Sequence, residues 1–294
     1  MTSHIPTATV HRFTSTDGVE LSYCTWRFDE ASDPTALVLV LHGIGYHAAP
    51  YVIVAEGLGL PGAVYSALDF RGHGGSGGPK GALPPTERMV SDIEEWVDQL
   101  KKEAPAVPIF MIGESMGGPY AALYASKNPG ALTGLVLVAP AVLSSLRQVL
   151  HVDTLRAVGR LLRSPRSPSF GLLGSRLAAA SKESSFVLAR IEDPSAMQKV
   201  TAAYLMRIGI AIAELMLGKA GRIDSPTLIV QGERDTIVSP LGSRLLYKML
   251  NVADKKLTIF PDGFHTLIWD STAPEVFAFI EGWMSERLGR RQGG

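Results

Sequence analysis

The sequence predicts an α/β fold, a mainly parallel central sheet flanked by helices with an inserted helical cap. Three observations point there. Short apolar runs recur along the chain, such as ALVLVL (36–41), IFMI (109–112) and LIV (228–230). Helix-patterned segments alternate with them. One long stretch, 144–222, breaks this rhythm. A strand buried on both faces reads as an uninterrupted apolar run, the signature of parallel sheets covered by helices. The order strand, helix, strand implies such a sheet.

The elements follow in chain order. Residues 8–15 and 19–27 alternate in polarity about Asp17-Gly18, as a hairpin does. ALVLVLHG (36–43) is a buried strand, 48–59 suit a helix, and AVYSALDF (63–70) is a strand. Residues 85–103 keep a helical period, with Thr86 placed to cap the helix before Glu87. VPIFMIG (107–113) is a strand, followed by a helix over 116–127 that stops near Asn128-Pro129. LTGLVLVAP (132–140), SPTLIVQG (225–232) and KKLTIFP (255–261) are further strands. Residues 240–250 and 274–288 suit helices. The core is therefore expected over 1–143 and 223–294, with GRRQGG (289–294) as a solvated, disordered end.

The insertion 144–222 holds the basic, Pro/Ser-rich piece LRSPRSPSFGLLGS (162–175) between helical runs, with no buried strand evident. YLMRIGIAIAELML (204–217) is apolar nearly all round. It suits packing on the core, and equally a wall over an apolar ligand pocket.

Composition narrows the partners. Hydrophobic residues make up 46% of 294 residues, enough for one large α/β domain with an insertion or for two modest domains. Lys+Arg and Asp+Glu balance at 28 each, so nothing draws the chain to nucleic acid or an anionic membrane as its main partner. Cys24 is the one cysteine, which forbids an intrachain disulfide, and its place in VELSYCTW suits a small buried apolar residue. MTSHIPTATVHRF lacks the apolar stretch of a secretory signal, and no apolar run is long enough to span a membrane. The expectation is a soluble cytoplasmic protein without stable membrane insertion. Oligomeric state is not legible.

The chemistry centres on IFMIGESMGGPYAALYA (109–125). A buried strand runs into Gly113-Glu114-Ser115-Met116-Gly117 and then a helix. G-x-S-x-G in that context presents its serine on a sharp turn at the carboxyl end of a strand. Gly113 and Gly117, lacking Cβ, let strand and helix approach closely, and the helix start favours a developing oxyanion.

A serine hydroxyl needs a base, and the base needs an orienting group. His265, in PDGFHTL just past a strand, has the right placement; His151 lies in the cap and lacks it. Asp235, in LIVQGERDTIV, suits the acid, with Glu233 the nearest rival and Asp224 and Asp254 lying before strands. An oxyanion hole needs two backbone N–H groups. Met116 supplies one, and Ile44, in His42-Gly43-Ile44-Gly45, is assigned the other. Glu114 is expected to form local hydrogen bonds with its side chain turned away from Ser115. Asp69 and Arg71 are expected to tie down a turn. His42, His47 and His73 lack the spacing of a metal-binding helix, so no metal is expected.

Together, HGIGYH (42–47) with Tyr51, DFRGHGGSGG (69–78), GESMGG (113–118), GERDTIV (232–238) and GFHTL (263–267) resemble the α/β-hydrolase superfamily. More narrowly they look like its monoacylglycerol lipase/lysophospholipase branch, also classed as serine aminopeptidase S33. The resemblance implies a Ser115, Asp235, His265 triad, an oxyanion hole at Ile44 and Met116, and no metal or cofactor. It also implies a small-molecule ester or lipid substrate of medium or long acyl chain. The cap then offers transient contact with a lipid surface. A thioesterase, amidase, aminopeptidase or acyltransferase would use the same triad. A ligand-binding receptor on the same fold is the alternative of another class.

Overall fold

The structure is a computed structural model and describes residues 7–29, 33–145, 168–171, 181 and 184–292. Its centre is an eight-stranded sheet in the order β1-β2-β4-β3-β5-β6-β9-β10. The strands are β1 (Thr9–Thr14), β2 (Glu20–Trp26), β3 (Ala36–Leu41), β4 (Ala63–Leu68), β5 (Ile109–Glu114), β6 (Gly134–Val138), β9 (Thr227–Gly232) and β10 (Lys255–Phe260). β1 and β2 form the antiparallel hairpin at one edge, and β2 meets β4 antiparallel. All later pairings within this sheet are parallel. The mainly parallel sheet expected from the apolar runs is therefore present.

Alternation along these strands builds two cores. Leu37, Leu39 and Leu41 of β3 face one layer with Ile109, Met111, Leu135 and Leu137. Val38 and Val40 face the other with Phe110, Ile112, Val136 and Val138. A period of two sends neighbouring side chains to opposite faces, so each inner strand needs apolar residues at every position. The first face is covered by α2 (Thr86–Glu103), α3 (Gly117–Lys127) and, nearer the edge, α6 (Pro240–Met249). Met89, Ile93, Trp96, Val97 and Leu100 give α2 its buried stripe. The second face is covered by α1 (Val52–Leu58) and α7 (Ala273–Gln292), through Val54, Ala55, Leu58, Val276, Phe277, Ile280 and Met284.

Between β6 and β9 the described insertion holds β7 (Pro168–Gly171), α4 (Ser184–Glu192), β8 (Lys199–Thr201) and α5 (Ala202–Glu214). β7 and β8 pair antiparallel, so the insertion, read as helical with no buried strand evident, also holds one short strand pair. Segments this short, PSFG and KVT, carry no periodicity to read. α5 is capped by the Thr201 side chain and buries Tyr204 and Ala211, while Met206 and Ile210 stay exposed. The apolar segment thus packs on one face only.

Two smaller expectations are corrected. Thr86 is the first residue of α2 rather than its cap, because Pro85 ends the extended entry (ψ 153°) immediately before it. The expected disordered end is helical through Gln292. Arg287 lies over the Trp283 ring at 3.7 Å and pairs with Asp254, and Arg290 pairs with Glu286 one turn back. These contacts, with the i,i+4 pair, stabilise helix where composition alone reads coil.

A buried ionic knot ties the hairpin to the core. Arg71 Nε donates to Asp92 Oδ2 at 2.6 Å and its Nη2 to Asp92 Oδ1 at 2.8 Å. Arg71 also pairs with Asp17 at the hairpin turn, and the guanidinium holds that carboxyl down at about 2. Removing one partner of a buried pair strands the other charge. Asp92→Ala is expected to lower the unfolding free energy by about 3 kcal/mol, read as a reduced midpoint in urea denaturation.

Candidate active site

The site lies where β3, β5, β9 and β10 end. β5 closes at Glu114, and Ser115 follows in a left-handed conformation, φ 49°. A non-glycine residue there carries strain of about 1–3 kcal/mol and must be held. Ser115 N–H donates to Val138 O at 2.9 Å, and Ser115 O accepts from Gly118 N at 3.1 Å and Ala141 N at 2.9 Å. The flanking glycines are required by space. A Cβ on Gly117 would lie 2.1 Å from Leu41 O, and one on Gly113 2.7 Å from Gly117 O.

Ser115 Oγ stands 2.9 Å from His265 Nε2, and His265 Nδ1 stands 2.8 Å from Asp235 Oδ2. All three residues are buried. Asp235 can only accept, so Nδ1 carries the proton and Nε2 is free to accept from the serine hydroxyl. Asp235 Oδ2 also takes the Gln231 amide at 2.9 Å, and its Oδ1 takes the amides of Ile237 (2.9 Å) and Val238 (2.8 Å). Gln231 is held in turn by Ser243.

The charges follow from this packing. Burial alone would raise the Asp235 carboxyl, but the His265 charge and these hydrogen bonds outweigh it and hold it below the usual carboxylate value. Burial alone would lower His265, but Asp235 first, then Glu114 and Asp270, overcome it and hold the imidazole above its usual value.

The rival residues lie elsewhere. Glu233 pairs with Arg244, Asp254 with Arg287, and Asp224 accepts from Gly130 N. His151 lies outside the described residues.

Ile44 lies on the loop after β3, and Met116 directly follows Ser115 at the start of α3. A Cβ placed on Gly43 would reach within 3.5 Å of Ser115 Cβ, so the first loop closes on the nucleophile turn. The direction of each amide is set from the far side of its peptide. A trans peptide is planar, with N–H opposite C=O. Gly43 O, across the peptide from Ile44 N, is bound by His42 Nδ1 at 2.8 Å and Tyr46 N at 3.2 Å. Ser115 O, across from Met116 N, is bound by Gly118 and Ala141. The sequence places His42 in the HGIG segment but gives no sign of this clamp. Its Nε2 accepts from Phe70 N at 3.1 Å, which leaves Nδ1 to donate.

His47 and His73 are also committed. His47 Nε2 meets Asp193 Oδ2 at 2.6 Å, and His73 bonds Arg71 O and the Tyr204 hydroxyl, both at 2.9 Å. Asp69 accepts from Ala48 N and Gly75 N and ties the turn. Arg71 reaches further than a turn, into the knot with Asp92. Among the described residues no group of three or more His, Cys, Asp or Glu side chains is arranged to hold a metal. Cys24 is buried, and burial, with the Asp69 charge behind it, pushes its thiol up to about 11.

The model of the serine aminopeptidase S33 family matches residues 32–272. The chain belongs to that family. Similar proteins include the monoacylglycerol lipase of Mycolicibacterium smegmatis, 29% identical over 96% of this chain and 99% of its own. Human monoglyceride lipase is 31% identical over 96% of this chain and 92% of its own. Among solved structures, a soluble variant of the Saccharomyces cerevisiae monoglyceride lipase superposes with a TM-score of 0.84 at 22% identity, covering 97% of both chains. The Paleococcus ferrophilus monoacylglycerol lipase gives 0.76 at 25% identity, over 91% of this chain and 99% of that one. The fold is that of the α/β-hydrolases, and the chain is a serine hydrolase similar to lipases that act on esters.

The protonation argument has a direct check. A proton-detected NMR titration is expected to place the His265 midpoint above the usual ~6.5 of a free imidazole. Asp235→Asn is expected to bring it down, because the largest attraction on the imidazolium is then gone.

Proposed function

We propose that the protein hydrolyses carboxylic esters with apolar acyl chains, monoacylglycerols above all, through an acyl-enzyme on Ser115. The observation that carries this is the continuous line from Ser115 Oγ through His265 to Asp235, with steps of 2.9 and 2.8 Å. His265 Nε2 takes the Ser115 proton as Oγ attacks the ester carbonyl. The oxyanion settles on the Ile44 and Met116 N–H groups. The tetrahedral intermediate collapses, the alcohol leaves with the proton from His265, and the acyl group stays on Ser115. Water, activated by His265, then releases the acid. Asp235 keeps the imidazole in the useful tautomer and stabilises its charged form.

Support for an ester over an aminoacyl amide comes from the cap acids. An aminopeptidase must hold the substrate's amine with a free carboxylate. Asp193 is paired with His47, Glu214 with Lys219, and Glu192 is exposed on the surface. Glu183 lies outside the described residues. The named relatives, lipases of monoacylglycerols, support the alcohol.

Residues 144–222 are proposed as the cap over this site. Met206 at 49%, Ile210 at 38% and Leu217 at 87% exposure support transient contact of the cap with a lipid surface. Among the described residues no helix is long and apolar enough to cross a membrane. The single thiol, with no partner for an intrachain disulfide, supports a cytoplasmic setting.

Ser115→Ala is expected to cut turnover of a p-nitrophenyl ester by at least about a thousandfold while leaving the far-ultraviolet circular dichroism unchanged. Turnover near that of the parent would reject the nucleophile. Catalysis needs neutral His265, so kcat/KM should fall as pH drops through its raised pKa, with the acidic limb above ~6.5. Across monoacylglycerols of rising acyl length, kcat/KM is expected to climb to an optimum at medium or long chains. A flat response, or faster cleavage of an aminoacyl amide, would overturn the substrate assignment.

A further inference from the structure

Glu114 immediately precedes the serine, is buried, and has both oxygens occupied. Oε2 accepts the Tyr51 hydroxyl, and Oε1 accepts the Trp269 indole N–H at 2.9 Å. The Tyr51 oxygen itself accepts the Gly43 N–H at 2.9 Å. One carboxylate thus joins three separate loops. Glu114 belongs to the nucleophile turn, Gly43 is the residue before the Ile44 amide, and Trp269 lies four residues past His265. The rings around the link are packed edge-on. Tyr51 and Trp269 centroids lie 5.2 Å apart, Tyr46 and Trp269 5.2 Å, and Tyr46 and Tyr51 5.7 Å.

We propose that Glu114 is a positioning residue for hydrolysis, its buried carboxylate setting the oxyanion loop and the histidine loop against Ser115. The proposal rests on the Ser115 chemistry above. Burying a carboxylate is costly unless donors satisfy it, and here the two donors come from the loops that must be aligned. A neutral amide keeps less of the arrangement. Glutamine can still accept from Trp269, but its N–H₂ would meet a Tyr51 oxygen that already accepts the Gly43 N–H, so the Tyr51 hydroxyl loses its acceptor and both bonds lose the carboxylate charge.

The link also has an electrostatic side. Glu114 faces His265, Tyr51 and Trp269, and across the gap Arg190 of α4. His265 faces Asp235, Glu114 and Asp270. Glu114 therefore adds to the negative charge that favours the imidazolium. Burial is the largest influence on Glu114 itself and raises its carboxyl, opposed by Tyr51, His265, Trp269 and Arg190.

The test compares Glu114→Gln and Glu114→Asp with the parent enzyme on a soluble p-nitrophenyl ester across pH. Glu114→Gln is expected to lower kcat by about tenfold or more, approaching at most the loss of a whole oxyanion donor, with KM nearly unchanged. Its acidic limb should move to lower pH. Glu114→Asp retains charge but lacks the reach to both donors, so kcat should fall while the limb stays near that of the parent. Parental kcat and an unmoved limb in Glu114→Gln, or a loss confined to KM, would overturn the proposal. Should Glu114→Gln fail to fold, Tyr51→Phe and Trp269→Phe keep rings and carboxylate and pose the same question. A fall in kcat in each supports the link, and parental kcat in both refutes it. Retained turnover in Ser115→Ala would refute the underlying nucleophile instead, independently of any result at Glu114.

Discussion

The left-handed backbone of Ser115 is the constraint on which the site depends. At φ 49° the chain turns from strand to helix within a residue, and the serine stands at the carboxyl end of the sheet. The conformation costs energy locally and survives because three hydrogen bonds and two glycines leave no room for another. The same bonds that hold the strain also orient chemistry. Those that fix Ser115 O fix the Met116 N–H on the other end of that peptide. The β6 end contributes a second left-handed residue, Ala139 at φ 43°, directly after Val138, which receives the Ser115 N–H. Strand pairing between β5 and β6 and the geometry of the nucleophile turn are therefore one problem with one solution.

Much of this was legible because it is written at short range. The apolar runs 36–41 and 109–112 need both faces covered, which is already a statement about a parallel sheet with helices on either side. Ser115, Asp235 and His265 were found because each follows a strand, and parallel strands bring their carboxyl ends to one edge without further information. What stayed hidden is what needs three dimensions. Nothing in TLIWD marks Trp269 as a partner of a residue 155 positions earlier. Tyr51 stands just past the HGIGYH pattern, but its bond to Gly43 N depends on how the chain turns from β3 into α1. Glu114 was expected to turn from Ser115 into local bonds, yet its partners come from two other loops. The helical end through Gln292 was missed for the same reason, since Asp254, the partner of Arg287, belongs to the approach to β10.

The buried charges divide into two kinds. Arg71 and Asp92 neutralise each other and hold the hairpin, α2 and the loop after β4 in one arrangement. Buried ion pairs add little net stability compared with apolar packing, but breaking one is expensive, so such a knot fixes geometry more than it strengthens the fold. Asp235 and Glu114 differ, because each accepts mostly from neutral donors and each faces the His265 imidazole, Arg190 acting on Glu114 through its field. Their charge is left available to stabilise a proton that arrives on His265 during the proposed reaction. A permanent cation at either carboxylate would have consumed that field.

The described part of the proposed cap is bound to the loop after β3 rather than laid over it. Arg190, on α4, donates to Ile44 O and Gly45 O and rests over the Tyr46 ring at 4.5 Å. Met197 N donates to Gly45 O at 2.8 Å, and Asp193 meets His47. Each of these contacts lands on the loop that carries the Ile44 amide. From the core side that loop is held by His42 and by Tyr51, and from the cap side by Arg190 and Met197. The carbonyls of consecutive peptides are thus restrained from opposite directions, which fixes the planes between them. A displacement of α4 would have to break buried hydrogen bonds or carry the oxyanion loop with it, and either course changes the amide that the developing charge would meet. In the proposed reaction, the contacts from α4 and the binding of the oxyanion would therefore share one part, the HGIG loop.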